Sequence, residues 1–242
     1  MLLDRIGNKF QVKLKDRAAA ASILGDALKD AIRSEKERKE NTVVLGIPRG
    51  GTIIADIIAR KLSCEFDIII PRKLRSPHNE EVAIGAIMED GTSYLNEVLV
   101  RELDVSPEYI EEEKTRQMEE IQRRTLLYRL GTSSGYKNLD LNGKNIVLAD
   151  DGAATGATII AASRWIRATQ SPRSFIIAIP VAPKDTLNLL KREAPDHIEV
   201  LTMPSESRFK SVGQYYQSFE PVTDKEVIDI MQKSKNRRVS RT

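Results

Sequence analysis

Short apolar runs punctuate the chain at Val43–Ile47, Phe66–Ile70, Ile146–Ala149, Phe175–Ile179 and Ile198–Leu201. They are rich in β-branched residues and show no polar alternation, the pattern of strands covered on both faces. Amphipathic stretches follow three of them, at 52–62, 157–168 and 184–192, and supply the helices that cover a sheet. The alternation predicts an α/β protein with a mainly parallel sheet flanked by helices. Upstream, residues 16–40 read as a helix, apolar at its start and charged at its end. Between the second and third runs lies an insertion. There Val82–Met88, the turn Glu89-Asp90-Gly91 and Thr92–Leu95 predict an antiparallel hairpin, because Asp-Gly favours a tight hairpin turn. Residues 107–130 then predict one long charged helix, with Ser106 as N-cap and Pro107 at its first position. Its mixed charges read as a solvated face with intrahelical pairs. From Lys233 onward the chain is basic and polar, and an unstructured tail over 233–242 is expected.

Composition narrows the function classes. The 242 residues are 40% hydrophobic and 30% charged, with a formal net charge of +3. That charge is too small to argue for nucleic-acid binding, though a site for anionic phosphates fits it. The single cysteine, Cys64, excludes an intramolecular disulfide and a cysteine-built metal site, and its apolar surroundings read as packing. The first ten residues intersperse acids and bases without an apolar stretch, which argues against a signal peptide. No apolar run approaches the length of a membrane span. A cytoplasmic protein without membrane or nucleic-acid partners is the expectation.

The segment 145–166 (NIVLADDGAATGATIIAASRWI) carries the chemistry. An apolar strand ends in Asp150 and Asp151. A loop of small residues follows, Gly152, Ala153, Ala154, Thr155, Gly156, Ala157 and Thr158, and then a helix begins. In open α/β sheets ligands bind at the carboxyl ends of strands, where this loop must lie. Small side chains let the backbone approach a ligand, and the helix N-terminus offers unpaired N–H donors and a positive dipole end. The loop suits a dianionic phosphate. The two aspartates would repel that phosphate, so they suit neighbouring hydroxyls or a metal ion that neutralises a second anion. A bare strand–turn–helix with a capping aspartate needs only one acid. Elsewhere, Pro48-Arg49-Gly50-Gly51 ends the first apolar run, and Arg72-Lys73 ends the second. Two glycines permit close backbone approach, and Arg49 brings a fork of donors to an anion. All three segments should meet at one crevice.

The segment resembles the phosphoribosyl diphosphate signature of type I phosphoribosyltransferases: four apolar residues, two acids, a short spacer and a Thr-Gly-x-Thr close. The wider chain is similar to a bacterial and archaeal branch of uncharacterised phosphoribosyltransferase-like proteins that combines Pro48–Gly51, Arg72-Lys73 and Asp150–Thr158 in this way. The similarity runs from about Asp16 to Ile230. It implies one domain over 16–232, with a core at about 41–205 and a small hood built from the terminal segments. It implies transfer of ribose 5-phosphate from phosphoribosyl diphosphate to a nitrogen base, with Mg²⁺ and release of diphosphate. Residues 152–158 would then hold the 5-phosphate, and Arg49, Gly50, Gly51, Arg72 and Lys73 the diphosphate. Asp150 and Asp151 would orient ribose hydroxyls directly or through metal-bound water, and with Lys73 and Arg49 they form the implied catalytic set. In this family the Pro48–Gly51 loop often contains a strained peptide bond, and Leu74–Val82 corresponds to a mobile loop that closes over the site.

One departure bears on the acceptor. Enzymes acting on 6-oxopurines carry an aspartate where this chain has Ala154, so the general base is unassigned and close equivalence to that subgroup is disfavoured. His78 reads as an incidental surface residue and His197 as structural, while Glu80 and Glu81 stay ambiguous. For the hood, Arg208–Phe219 is the candidate, with Phe209, Tyr215 and Tyr216 placed equally well in a core or against a base. Two other readings stay open: a ligand-binding regulator without turnover, and a hydrolase of the same donor. The sequence also leaves a homodimer open.

Overall fold

The computed structural model describes residues 13–32, 40–80, 82–129 and 140–239. Its strands are β1 (Thr42–Gly46), β2 (Glu65–Ile68), β3 (Arg72–Arg75), β4 (Ala83–Ile87), β5 (Ser93–Leu95), β6 (Asn145–Ala149), β7 (Ser174–Val181) and β8 (His197–Thr202). The helices are α1 (Arg17–Ala31), α2 (Gly50–Leu62), α3 (Glu97–Glu102), α4 (Pro107–Tyr128), α5 (Ala157–Thr169), α6 (Lys184–Arg192) and α7 (Asp224–Val239). The main sheet has the order β2-β1-β6-β7-β8, and every neighbouring pair is parallel. Strands β1 and β6 are buried along their whole length, as continuous apolar runs require. The α/β reading therefore holds.

The strand order fixes where a ligand can sit. From β1 the chain steps to β2 on one side, and later returns to β6 on the other. The connections leave the carboxyl ends of β1 and β6 in opposite directions and open a crevice between them, the usual ligand position in such sheets. Helices α1 and α2 pack on each other, α2 lies against β1, β2 and β6, and α1 lies against β7 and β8.

The insertion builds a second sheet, β3-β4-β5, antiparallel throughout and packed against α4 and α5. The expected β4–β5 hairpin is present. Strand β3 extends the hairpin by one strand, so Leu74 and Arg75 belong to a ladder and the connecting loop is 76–82. That loop bonds to itself: the Ser76 amide donates to the Val82 carbonyl at 2.9 Å, and the Asn79 amide to the Ser76 hydroxyl at 3.1 Å. Glu81 lies outside the described residues.

Three expectations need narrowing or correction. The N-terminal helix is described over Arg17–Ala31, capped by Asp16 accepting from the Ala19 amide at 2.7 Å, and 33–39 lie outside the described residues. Helix α4 has the expected intrahelical pairs, Glu111 with Lys114 and Glu120 with Arg124 among them, but it is not a merely solvated rod. Ile110, Glu113, Gln117, Ile121, Thr125 and Tyr128, spaced by three or four, form a buried face. Finally, α7 continues through Lys233 to Val239 where an unstructured tail was expected; Val227, Met231 and Ser234 give it a buried stripe, and Arg237 pairs with Asp56 on α2. Residues 240–242 lie outside the described residues.

Leu14 and Lys15 join the segment 205–222 above the crevice. The Leu14 amide donates to the Tyr215 carbonyl at 2.9 Å, and the Gln217 and Ser218 amides donate back to the Leu14 and Lys15 carbonyls at 2.8 and 3.0 Å. Among the described residues, no helix is long and apolar enough to cross a membrane.

Candidate active site

A cavity of about 410 Å³ opens at the carboxyl ends of β1 and β6. Arg49 and Gly50, Arg72 and Lys73, and every residue from Asp150 to Thr158 line it. Segments separated by about a hundred residues in sequence thus share one wall. Gly51 is absent from that wall. It is buried behind it, and a Cβ there would stand 2.8 Å from the Ala149 carbonyl oxygen and 2.9 Å from the Asp150 Cα. Its glycine character lets the first loop lie against the acid pair. The Pro48–Arg49 peptide bond is cis.

The 152–158 loop is pinned from behind. The Ala153 amide donates to the Val181 carbonyl at 2.9 Å, and the Thr186 hydroxyl donates to the Ala154 carbonyl at 2.5 Å. Gly156, with φ of +73°, is the N-cap of α5, a left-handed conformation that suits glycine. Helix α5 then presents its first-turn amides, which lack intrahelical partners, to the loop, where the Ala157 amide reaches the Thr155 hydroxyl at 3.4 Å. Val212 closes on the loop so tightly that a Cβ on Gly152 would lie 2.5 Å from it.

The acid pair is asymmetric. Asp150 Oδ1 accepts from the Asp151 amide at 2.8 Å. Burial first, and then the Asp151 charge, push the Asp150 carboxyl well above its ordinary value, while the Lys73 ammonium acts the other way. Asp151 is held by Arg17, whose Nε donates to Oδ2 at 2.7 Å, and its carbonyl accepts from the Tyr216 hydroxyl at 2.7 Å. Burial, then Asp151, raise the Tyr216 hydroxyl above its usual value.

The cations rest on α4 and α7. Arg72 Nε donates to Gln117 at 3.0 Å, and Gln117 in turn donates to Glu113 at 3.0 Å. Glu113 also accepts from the Arg75 amide at 3.0 Å, so a buried carboxylate fixes the backbone of the cationic strand. Burial lowers the Arg72 guanidinium from its ordinary value, with Arg124 adding to the effect. Arg49 faces Asp224 of α7 at 3.7 Å, and the same carboxylate oxygen accepts from Tyr128 at 2.6 Å.

Burial, then that bond to Asp224, push the Tyr128 hydroxyl up to about 12 from an ordinary value of 10. The fold therefore favours the protonated hydroxyl. That contribution is complete below pH 10 and is lost as pH rises towards 12. The denaturation midpoints of wild type and Tyr128→Phe should accordingly converge over that alkaline window. A gap that stays constant across it would show that Tyr128 does not carry the effect.

Other sequence candidates separate. His78 is exposed and does not line the cavity, whereas Glu80 does and pairs with Arg75 at 2.6 Å. His197 is exposed on β8 and contacts Glu199 at 2.9 Å. Cys64 is buried. Tyr215 and Tyr216 are core residues, 2% and 3% exposed, and Phe209 stacks on Tyr215 at 5.7 Å. The segment 208–219 instead offers Val212 and Phe219 to the cavity. Sequence reasoning missed Arg17, Asp224, Tyr128 and Thr186. Arg17 alone left a local signal, a cation in the first turn of a helix, where the dipole disfavours it.

Two Mycobacterium tuberculosis proteins, from strains CDC 1551 and H37Rv and both provisionally named phosphoribosyl transferases, are each 35% identical over 192 residues, or 79% of this chain. The chain spans 42% of the length of these curated relatives. The crystal structure of TT1426 from Thermus thermophilus matches with a TM-score of 0.71 at 34% identity, covering 91% of this chain and 98% of that one. The phosphoribosyl transferase domain profile matches residues 12–199, a span that contains all three loops of the cavity, and the chain belongs to that family.

Proposed function

We propose that the chain transfers ribose 5-phosphate from phosphoribosyl diphosphate to a nitrogen base, releasing diphosphate. The observation that carries this reading is the set of groups that share one cavity: a helix N-terminus with a small-residue loop, two adjacent carboxylates, and the cations Arg49, Arg72 and Lys73. A ligand with a terminal phosphate, hydroxyls in its middle and a diphosphate beyond them has a partner for each of these groups.

In this reading the amides of 152–158 bind the 5-phosphate, and Asp150 and Asp151 accept from ribose hydroxyls. Arg49, Lys73, Arg72 and the Gly50 backbone hold the diphosphate as negative charge grows on it. The loose, cationic sugar formed at C1 needs position and shielding more than a protein nucleophile. The β3–β4 loop, with Glu80 tied to Arg75, is the segment suited to exclude water.

The donor set also fits Mg²⁺. Among the described residues no group of three or more acidic, histidine or cysteine side chains forms a cage. Two adjacent carboxylates beside an anion site match an ion that takes few protein ligands and completes its shell with water and substrate oxygens. Asp150 and Asp151 would hold it, and its charge would neutralise the leaving diphosphate.

Incubation with ribose-labelled donor, Mg²⁺ and a panel of nucleobases tests the reading. Diphosphate release that depends on one base supports transfer. Release without any base makes the protein a hydrolase, and binding without release makes it a sensor.

A further inference from the structure

Arg17 is the buried cation for which the anion-binding loops give no reason. It stands at the first position of α1, is 9% exposed, and reaches into the site from the opposite end of the chain. Its Nη1 donates to the Glu220 carbonyl at 2.8 Å, and its guanidinium carbon lies 3.7 Å from the Phe219 ring centroid. These two contacts suffice to fasten the 205–222 segment to α1. The third contact, Nε to Asp151 Oδ2, is of another kind, because it engages an acid that lines the cavity.

The surroundings of Oδ2 show what that contact achieves. A Cβ on Gly50 would stand 1.8 Å from it and 3.0 Å from Arg17 Nε, so Oδ2 is wedged between the first loop and the guanidinium. The Tyr216 bond to the Asp151 carbonyl fixes the backbone beneath it. One oxygen of Asp151 is thereby spent. Two adjacent carboxylates would bring two negative charges to a site built for a polyanion, and a charge-assisted bond to guanidinium cancels one.

We propose that Arg17 is a positioning residue of the donor site: it cancels the charge of Asp151 and turns Oδ2 away from the cavity. The acid pair is left with one net negative charge for a divalent cation and the sugar hydroxyls. The donor half of this inference rests on the function proposed above; the electrostatic half does not.

Arg17→Met keeps an apolar stem for Phe219 and removes the charge. Mn²⁺ alone, followed by electron paramagnetic resonance, should bind at least three-fold tighter to this variant than to wild type, because the pair regains its second charge. Phosphoribosyl diphosphate with Mg²⁺, followed by calorimetry, should bind at least ten-fold more weakly. Arg17→Lys keeps the charge without the fork and should show wild-type Mn²⁺ affinity with intermediate donor affinity, and it guards against a methionine variant that fails to fold. In an Asp151→Asn background, Arg17→Met should raise Mn²⁺ affinity by less than in the wild-type background, because the oxygen that Arg17 holds back is no longer a carboxylate's. A merely structural Arg17 predicts that both affinities and the melting temperature fall together; that result, or an unchanged Mn²⁺ affinity in Arg17→Met, overturns the inference. Wild type that fails to bind the donor instead sinks the proposed function, while the Mn²⁺ comparison still judges Arg17.

Discussion

Asp150→Asn combined with Asp151→Asn is expected to weaken phosphoribosyl diphosphate binding by a factor on the order of 10²–10⁴ while the fold survives. Hydrogen bonds to charged groups contribute roughly 1.5–3 kcal/mol each, and about 1.4 kcal/mol is one decade of affinity. Two such losses give the stated range before any metal contribution is added. Asparagine matches aspartate in shape, so the Asp151 amide keeps a side-chain acceptor at position 150, and the Tyr216 hydroxyl bonds to a main-chain carbonyl that the change leaves in place. The opposing effects on stability are of similar size. Arg17 loses its charged partner, whereas the repulsion and burial that push the Asp150 carboxyl upward disappear. The melting temperature should therefore move by only a few degrees, since about 1 kcal/mol corresponds to roughly 2–4 °C in a chain of this size. Calorimetry with Mg²⁺ and thermal denaturation measure the two sides separately. A variant that binds donor as tightly as wild type would mean that the acid pair is not where the ribose lies.

What the sequence revealed and what it hid follow from the range of the interactions. Strands β1, β6 and β7 are buried on both faces, so their apolar runs announce them without reference to any partner. The 150–158 loop is equally local: its acids, its small residues and the helix that begins at Ala157 are contiguous. The supporting contacts are not local. Arg17 meets Asp151 across 134 positions, and Tyr128 meets Asp224 across 96. Neither pair leaves a spacing to read. Helix α4 misled for a different reason. Glu113 and Gln117 occupy its buried face and break the apolar stripe that Ile110, Ile121 and Tyr128 would otherwise show. They are polar because the cationic strand needs acceptors: Glu113 serves the Arg75 amide and Gln117 serves Arg72. The same trade hides the end of α7, where a narrow stripe at Val227, Met231 and Ser234 is set among Lys and Arg residues. Polarity at a buried position was read as solvent exposure, and in both helices it marks contact with the rest of the fold.

The two adjacent glycines of the first loop should fail in different ways when changed to alanine. At Gly51 the new methyl meets main chain, 2.8 Å from the Ala149 carbonyl oxygen and 2.9 Å from the Asp150 Cα. Backbone of the buried β6 end cannot swing aside as a side chain does. Overpacking of this kind costs roughly 1–3 kcal/mol, which lowers the melting temperature by about 2–12 °C. At Gly50 the methyl meets side chain, 1.8 Å from Asp151 Oδ2 and 2.4 Å from its Cγ. The carboxylate can rotate away, but only by leaving Arg17, whose Nε is the next atom in the path at 3.0 Å. Gly50→Ala should therefore cost less stability than Gly51→Ala and more donor affinity, by about ten-fold or more, since a buried ion pair is disrupted at the cavity wall. Thermal denaturation and calorimetry on the two variants side by side decide the matter. If Gly50→Ala binds donor as wild type does, Asp151 can give up Arg17 without consequence, and the first loop and the acid pair do not form one composite site. If Gly51→Ala melts like wild type, the close approach of β1 and β6 at that corner is not what requires a glycine there.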